Sequence, residues 1–462
     1  MTAEPPSRFV TVADRLGRVP VHAVWEITLA CNLRCIHCGS RAGRPRAAEL
    51  STAEALDVVA ALARLGTRSV SLIGGEAYLR RDWVELVAAI TSAGMECNLQ
   101  SGGRGLSRAR LEAARDAGLT VLGISIDGTG DTHDLQRGVP GAFRAAVEAM
   151  AEGRGLGLTI HANTQINRLN FGELEAIAEV LSAHGVSQWQ VQLTGPLGRA
   201  ADGEPLILEP WQILDLMPRL DALYESGIER GLLLQIGNNI GFFGPHEHKL
   251  RGFGRAESHW RGCQAGILAV AIESDGTVKG CPSLPTASYS GGNVRDLALD
   301  DLWAGLGEGS LSPPELHGFC SGCAYRLHCR GGCRWTAHSL FGRAGDNPFC
   351  HYRALRLEAH GLRERLVRTG TASGLPFDHA DHAIVLESSD GAAALYPPSE
   401  PAIDADAQLR ACPDCGTYGD ERESACRDCG SQLTAAVERR ERRLAEAARL
   451  VAEVERLLEP SP

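Results

Sequence analysis

The chain has 462 residues and a formal net charge of −11, with 46 Lys and Arg against 57 Asp and Glu. At roughly 150 residues per domain this allows about three units, and the acidic balance argues against a nucleic-acid enzyme that works through a basic face. No apolar run reaches the ~18 residues of a membrane helix, and residues 1–18 lack the charged and apolar regions of a signal peptide, so the expectation is a cytoplasmic protein without membrane contact.

Residues 1–20 read as a short extension, and residues 21–235 as one α/β unit. Short apolar or β-branched runs at 23–29, 69–73, 95–100, 121–127, 158–167 and 188–193 alternate with helix-patterned segments such as 52–65, opened by the N-cap candidate Ser51, and 83–93. Six strand-helix repeats predict a parallel sheet, a partial (β/α)6 TIM-like barrel, with an open doubly wound sheet as the other solution. Glu26 and Thr28, Asn98 and Gln100, Ser125 and Asp127, Asn163, Gln165 and Asn167, and Gln190, Gln192 and Thr194 each share one face of their strand. The outer face of a barrel packs on helices and must be apolar, so this polar set is expected to line a chamber.

Fifteen cysteines in a reducing compartment are poor candidates for disulfides and better ones for metal sites. They fall into groups: Cys31, Cys35 and Cys38; Cys263, Cys281, Cys320, Cys323, Cys329, Cys333 and Cys350; Cys412, Cys415, Cys426 and Cys429; and Cys97 alone. Cys97 has the opposite parity to Asn98 and Gln100, which makes it a buried thiol rather than a hydrogen-atom donor.

The first group forms a C-x3-C-x2-C loop directly after the first strand. Three thiolates can hold three irons of a 4Fe-4S cube and leave the fourth open to a chelating ligand. At that position the loop resembles the cluster motif of the radical S-adenosylmethionine enzymes, a likeness covering roughly residues 21 to 200. The resemblance implies a 5'-deoxyadenosyl radical, formed when a cluster electron cleaves S-adenosylmethionine held at the open iron. Gly74, Gly75 and Glu76 resemble the family's GGE segment, whose acid would meet the methionine ammonium and whose glycines permit close backbone approach. Ser125 and Asp127 match ribose contacts, Arg137 the carboxylate-contacting arginine, and Gln192 the adenine site. His37 stands where the family often has an aromatic residue, and an imidazole can also stack on adenine. Singly, Asp127-Gly128 reads as a turn and Gly74-Gly75 as a tight connection; their order at successive strand ends carries the likeness. No catalytic side chain is assigned.

Residues 236–366 hold the second group. Residues 266–279 read as a hairpin turning at Asp275-Gly276, which brings Cys263 beside Cys281. The seven-cysteine spacing resembles the SPASM domain, which carries auxiliary iron-sulfur clusters in peptide and protein maturases. That likeness implies one cluster on Cys320, Cys323, Cys329 and Cys350 and another on Cys263, Cys281 and Cys333, three 4Fe-4S clusters in all. Zinc is the alternative, but seven thiols without paired histidines suit two clusters better than one closed zinc site. Sulfatase maturases complete the second auxiliary cluster with an extra cysteine, and residues 264–280 contain none. An open or non-cysteine-ligated iron, able to take a substrate thiolate or amide, is therefore expected. Those maturases also place a basic aspartate after the second cysteine, where this chain has Pro282.

Residues 367–410, rich in Gly, Ala, Ser, Pro and Asp, read as a linker. Residues 411–433 carry two C-x2-C-G knuckles, Cys412 with Cys415 and Cys426 with Cys429, that look like a Zn2+ ribbon, a further iron site being the alternative. Residues 434–462 form an amphipathic helix expected to pack on its own domain.

Together these resemblances imply an enzyme that modifies a ribosomally made precursor peptide, with oxidative thioether or carbon-carbon crosslinking ahead of epimerisation or backbone excision. Maturation of a peptide-derived cofactor or a protein active site, and a non-enzymatic cluster-binding module, are the alternatives. Partners would be the peptide, an electron donor such as flavodoxin or ferredoxin, and a leader-binding protein where the chain does not bind the leader itself.

Overall fold

The computed structural model describes residues 10–203, 205–252, 259–260, 262–311, 314–388, 393–395, 409–411, 418–420, 424–425 and 432. Seven strands, β1 (His22–Thr28), β2 (Ser69–Gly74), β3 (Glu96–Ser101), β4 (Val121–Ser125), β5 (Thr159–Ile166), β6 (Gln188–Leu193) and β7 (Leu233–Ile236), lie side by side in chain order and pair in parallel. Helices follow each of the first six, among them Thr52–Arg64, Trp83–Ser92, Arg108–Asp116, Ala142–Gly155, Leu174–Ala183 and Ile213–Arg230. The six expected strands are all present, and β7 adds a seventh whose four residues are too short to stand out by period. Ser51 caps the first of these helices as predicted. Its hydroxyl accepts the Glu54 amide and the Glu54 carboxylate accepts the Ser51 amide at 2.8 Å, a reciprocal capping box.

The core lies between sheet and helices. Trp25, Ile27, Leu72, Leu99, Ile124 and Trp189 are buried in it together with Cys97, which is where strand parity puts that thiol. The other face is polar. Gly123 of β4 leaves room for the Gln100 amide, since any side chain there would collide with it, and Gln100 thereby accepts a hydrogen bond from Asn163 two strands away. Gln188 likewise donates to Gln235 across β6 and β7. The chamber wall is thus a hydrogen-bonded ladder of amides.

The second cysteine group does not sit on a separate sheet. The expected hairpin forms as β8 (Ala269–Ile272) and β9 (Thr277–Lys279), turning at Gly276 with φ +89. β8 pairs in parallel with β1, and β10 (Ser290–Asn293) extends the sheet beyond β9. The resulting ten-stranded sheet covers the edge that β1 would otherwise leave open. Gly280 lies 2.7 Å from the Gly266 amide, measured from the position its Cβ would take, so the hairpin base brings the backbones around Cys263 and Cys281 together.

Part of the segment read as a linker, at 382–388 and 393–395, is strand, paired with a strand that begins ahead of it. β11 (Leu362–Arg368) pairs antiparallel along its whole length with β12 (His382–Ser388), and β13 (Ala393–Leu395) completes a small sheet. Its alternating residues were masked in the sequence by the Gly- and Ser-rich turn between the strands. The four knuckle cysteines and the helix expected at 434–462 lie outside the described residues. Among the described residues no helix is long and apolar enough to cross a membrane.

Candidate active site and auxiliary metal centres

The C-x3-C-x2-C loop leaves the end of β1 and is closed at its base by the Gly43 amide donating to the Leu29 carbonyl at 2.9 Å. Its middle is tied to the end of helix Asp131–Arg137. The Arg34 amide donates to the Arg137 carbonyl at 3.0 Å and the Ile36 amide to the Gln136 carbonyl at 2.9 Å. Gly138, with φ +66, allows that contact, because a side chain there would strike the Arg34 carbonyl. Gly74 and Gly75 serve the same purpose from β2: a Cβ on Gly75 would collide with the Ala30 carbonyl, and one on Gly74 with that of Thr28. The close approach these glycines allow is to the loop itself.

Each thiol of the loop has one N–H directed at its sulfur. The Leu33 amide donates to Cys31 Sγ at 3.4 Å, the Ala42 amide to Cys38 Sγ at 3.3 Å, and Arg137 Nη1 to Cys35 Sγ at 3.7 Å. Burial pushes the Cys31 thiol up to about 12 and raises Cys35, so a bare thiolate is disfavoured there. Donors aimed at sulfurs whose charge only a bound cation would stabilise are what an iron-sulfur cluster needs from its protein.

Glu76 is 2 % exposed. Its carboxylate accepts the Ser101 hydroxyl and, at 2.7 Å, the Gly102 amide, yet desolvation still raises it to about 7. A cation arriving beside it would restore its charge, which suits an ammonium contact. Asp127, fully buried, is already engaged. Its Oδ2 lies 2.5 Å from Arg137 Nη2 and 3.1 Å from His37 Nε2, and its Oδ1 accepts the Gln165 amide at 2.8 Å. Although burial opposes it, the charge of Arg137 and the hydrogen bond from His37 hold this carboxyl well below the usual range. Asp127 is therefore placed to orient Arg137, and His37 is pinned edge-on to a carboxylate. Ser125 and Gln192 are half-buried, in register with Asn163 and Gln165 of β5 on the polar face.

Strand parity places Asn167 and Thr194 on the polar face, but sequence reasoning missed His133, Gln136 and Asn170 behind this site. His133 Nδ1 accepts the Asp127 amide at 3.0 Å, Asn170 donates to the Asp127 carbonyl at 2.9 Å, and Asn167 links Gln136 at 2.7 Å to Thr194 at 3.2 Å. Lying on a short helix and in a loop, His133, Gln136 and Asn170 leave no strand period or motif; only their satisfied bonds reveal them.

Cys320, Cys323, Cys329 and Cys350 line a single cavity walled by Phe242, Phe243, Phe319 and Tyr325. Cys263, Cys281 and Cys333 form a second set, whose thiols raise one another's proton affinity on top of the dominant effect of burial. Burial pushes Cys350 and Cys263 up to about 12. Among the described residues no three His, Cys, Asp or Glu side chains are close enough to hold one metal ion. Arg353, between the cavity and β11, is fixed by Asp346 and by Glu364 at 2.6 Å.

Comparison with known proteins follows the same lines. A family profile described as the radical SAM superfamily matches residues 25–181. The mycofactocin maturase MftC of Mycobacterium ulcerans is 30% identical over 338 residues, covering 71% of this chain and 86% of that protein. An AdoMet-dependent heme synthase of Oleidesulfovibrio alaskensis is 28% identical over 347 residues, covering 71% and 86%. Among solved structures, anSMEcpe with bound AdoMet superposes with a TM-score of 0.58 at 18% identity, over 73% of this chain and 95% of that one. Streptococcus suis SuiB bound to S-adenosylmethionine gives 0.57 at 17%, over 69% and 74%.

Proposed function

The chain belongs to the radical SAM superfamily, and from that premise we propose that it modifies a ribosomally made precursor peptide, through a radical generated at Cys31, Cys35 and Cys38. The observation that carries the reading is the three-thiol loop with one N–H donor on each sulfur, sealed by Gly75 and Arg137 and opening on an amide-lined chamber. With a 4Fe-4S cluster and S-adenosylmethionine bound, such a site supplies a 5'-deoxyadenosyl radical. The chain's own residues do the rest. Glu76 holds the ammonium, Arg137 meets the carboxylate while Asp127 and His37 fix its direction, and Ser125 and Gln192 border the nucleoside.

Cys320, Cys323, Cys329 and Cys350 would hold one auxiliary cluster, and Cys263, Cys281 and Cys333 another with one iron free of cysteine. Two further redox centres favour net oxidation of the substrate, hence crosslinking. Flavodoxin or ferredoxin would deliver the starting electron, and Cys412, Cys415, Cys426 and Cys429 would take zinc. The peptide maturase among the relatives supports the substrate class; SuiB, whose fold this chain shares, is also known in a structure with precursor peptide SuiA. A heme synthase at similar identity makes a tetrapyrrole the competing substrate. The test is anaerobic turnover with a short peptide encoded beside the gene, against an iron porphyrin as the second arm. Loss of two hydrogens per crosslink in the peptide supports the proposal, and conversion of the porphyrin alone overturns it.

A further inference from the structure

Lys279 is the last residue of β9, two positions before Cys281, and it is 0% exposed. A buried ammonium is costly unless every N–H finds an acceptor. Here Nζ donates to Glu273 Oε1 at 2.7 Å, to the Leu284 carbonyl at 2.7 Å and to the Pro282 carbonyl at 3.3 Å. With the Thr286 hydroxyl at 3.4 Å as a fourth acceptor, two of the four belong to the turn that follows Cys281. The same turn is closed by the Leu284 amide, which donates to the Cys281 carbonyl at 3.3 Å. The ammonium therefore fastens this turn by two of its carbonyls.

The open side of Nζ is covered by the ring of Phe377, 4.2 Å away at its centroid. Phe377 comes from residues 369–381, the turn between β11 and β12. It has φ +57, a left-handed conformation unusual for a bulky residue, and is only 8% exposed. What holds it there is the catalytic loop. The Phe377 amide donates to the Gly39 carbonyl at 2.8 Å, Arg41 Nε to the Leu375 carbonyl at 2.9 Å, and Arg41 Nη2 to Asp378 Oδ1 at 2.9 Å. The Gly198 amide after β6 donates to the Asp378 carbonyl at 2.7 Å. One turn thus touches the residue after Cys38 and, through one ring, the cation beside Cys281.

Resting on the reading of Cys263, Cys281 and Cys333 as a cluster site, we infer that Lys279 is a positioning residue for that site. It fixes the turn that follows Cys281, it places a positive charge two residues from that ligand, and Phe377 keeps water from it. A buried cation near a ligand sulfur favours the more negative, reduced state of a cluster, so it raises its reduction potential.

The test is an EPR-monitored redox titration of the reconstituted full chain with iron quantified, the relevant signal being the one that Cys281→Ala removes. Lys279→Met should move that potential negative at full iron content, Phe377→Ala should move it the same way by less, and Phe377→Tyr should leave it in place. The catalytic cluster signal should stay unchanged in all three. Iron content unchanged in Cys281→Ala overturns the cluster reading and the inference with it. Full iron and wild-type potentials in both Lys279→Met and Phe377→Ala overturn the inference alone, and Phe377→Ala answers the question if Lys279→Met does not fold.

Discussion

Asp127 shows how far a single carboxylate can organise a site. Its two oxygens serve Arg137, His37 and the Gln165 amide, all without solvent. Asp127→Asn leaves a buried guanidinium short of its counter-charge, which typically costs about 3–5 kcal/mol; thermal unfolding should show the loss, and calorimetry a weakened affinity for S-adenosylmethionine. Gly75→Ala is expected to be harsher for the cluster than for the fold, because the collision falls on the Ala30 carbonyl of the ligand loop. Iron per chain should drop while far-UV circular dichroism stays near wild type. Protonation enters through His133 and His338, both pushed down to about 4, chiefly by burial. Between roughly pH 4 and 6.5 the unfolded chain binds more protons at these sites, so stability rises with pH through that window and is lost as pH falls. At 1.36 kcal/mol per pH unit each histidine contributes on the order of 3 kcal/mol across the window. Tryptophan-monitored urea unfolding at several pH values should give a flatter profile for His133→Asn than for wild type.

Among the elements, the barrel strands were legible and their supports were not. β1 to β6 follow from β-branched runs bounded by turn residues, and the cluster loop from cysteine spacing. Nothing in the sequence announces that β8 pairs with β1, since the contact joins residues more than 240 positions apart, His22 with Ala269. The turn 369–381 was legible only as composition; its docking depends on Arg41, whose guanidinium also pairs with Asp202. The role of Asp127 was legible as a position but not as a job, because its partners come from a helix end and from the ligand loop. Element by element, the cysteine groups make separable predictions. Cys320→Ala and Cys281→Ala should each lower iron by about one-third of the three-cluster total while leaving the catalytic cluster in place, as iron analysis and Mössbauer spectra would register. Equal loss of all iron in either variant would mean that the groups do not assemble independently.

On the scale of the whole molecule, one sheet joins the strand that leads into the C-x3-C-x2-C loop to the hairpin that precedes Cys281. The edge strand of the barrel continues into the hairpin that presents Cys281, and the turn between β11 and β12 returns to the catalytic loop at Gly39. The most direct test is anaerobic incubation of the reduced, reconstituted chain with S-adenosylmethionine, with and without the candidate peptide, followed by quantification of 5'-deoxyadenosine. Wild type should release it, more so with peptide present, and Cys35→Ala should release none. A wild-type chain with full iron that releases none, or a Cys35→Ala chain that matches it, would contradict the assignment of the site.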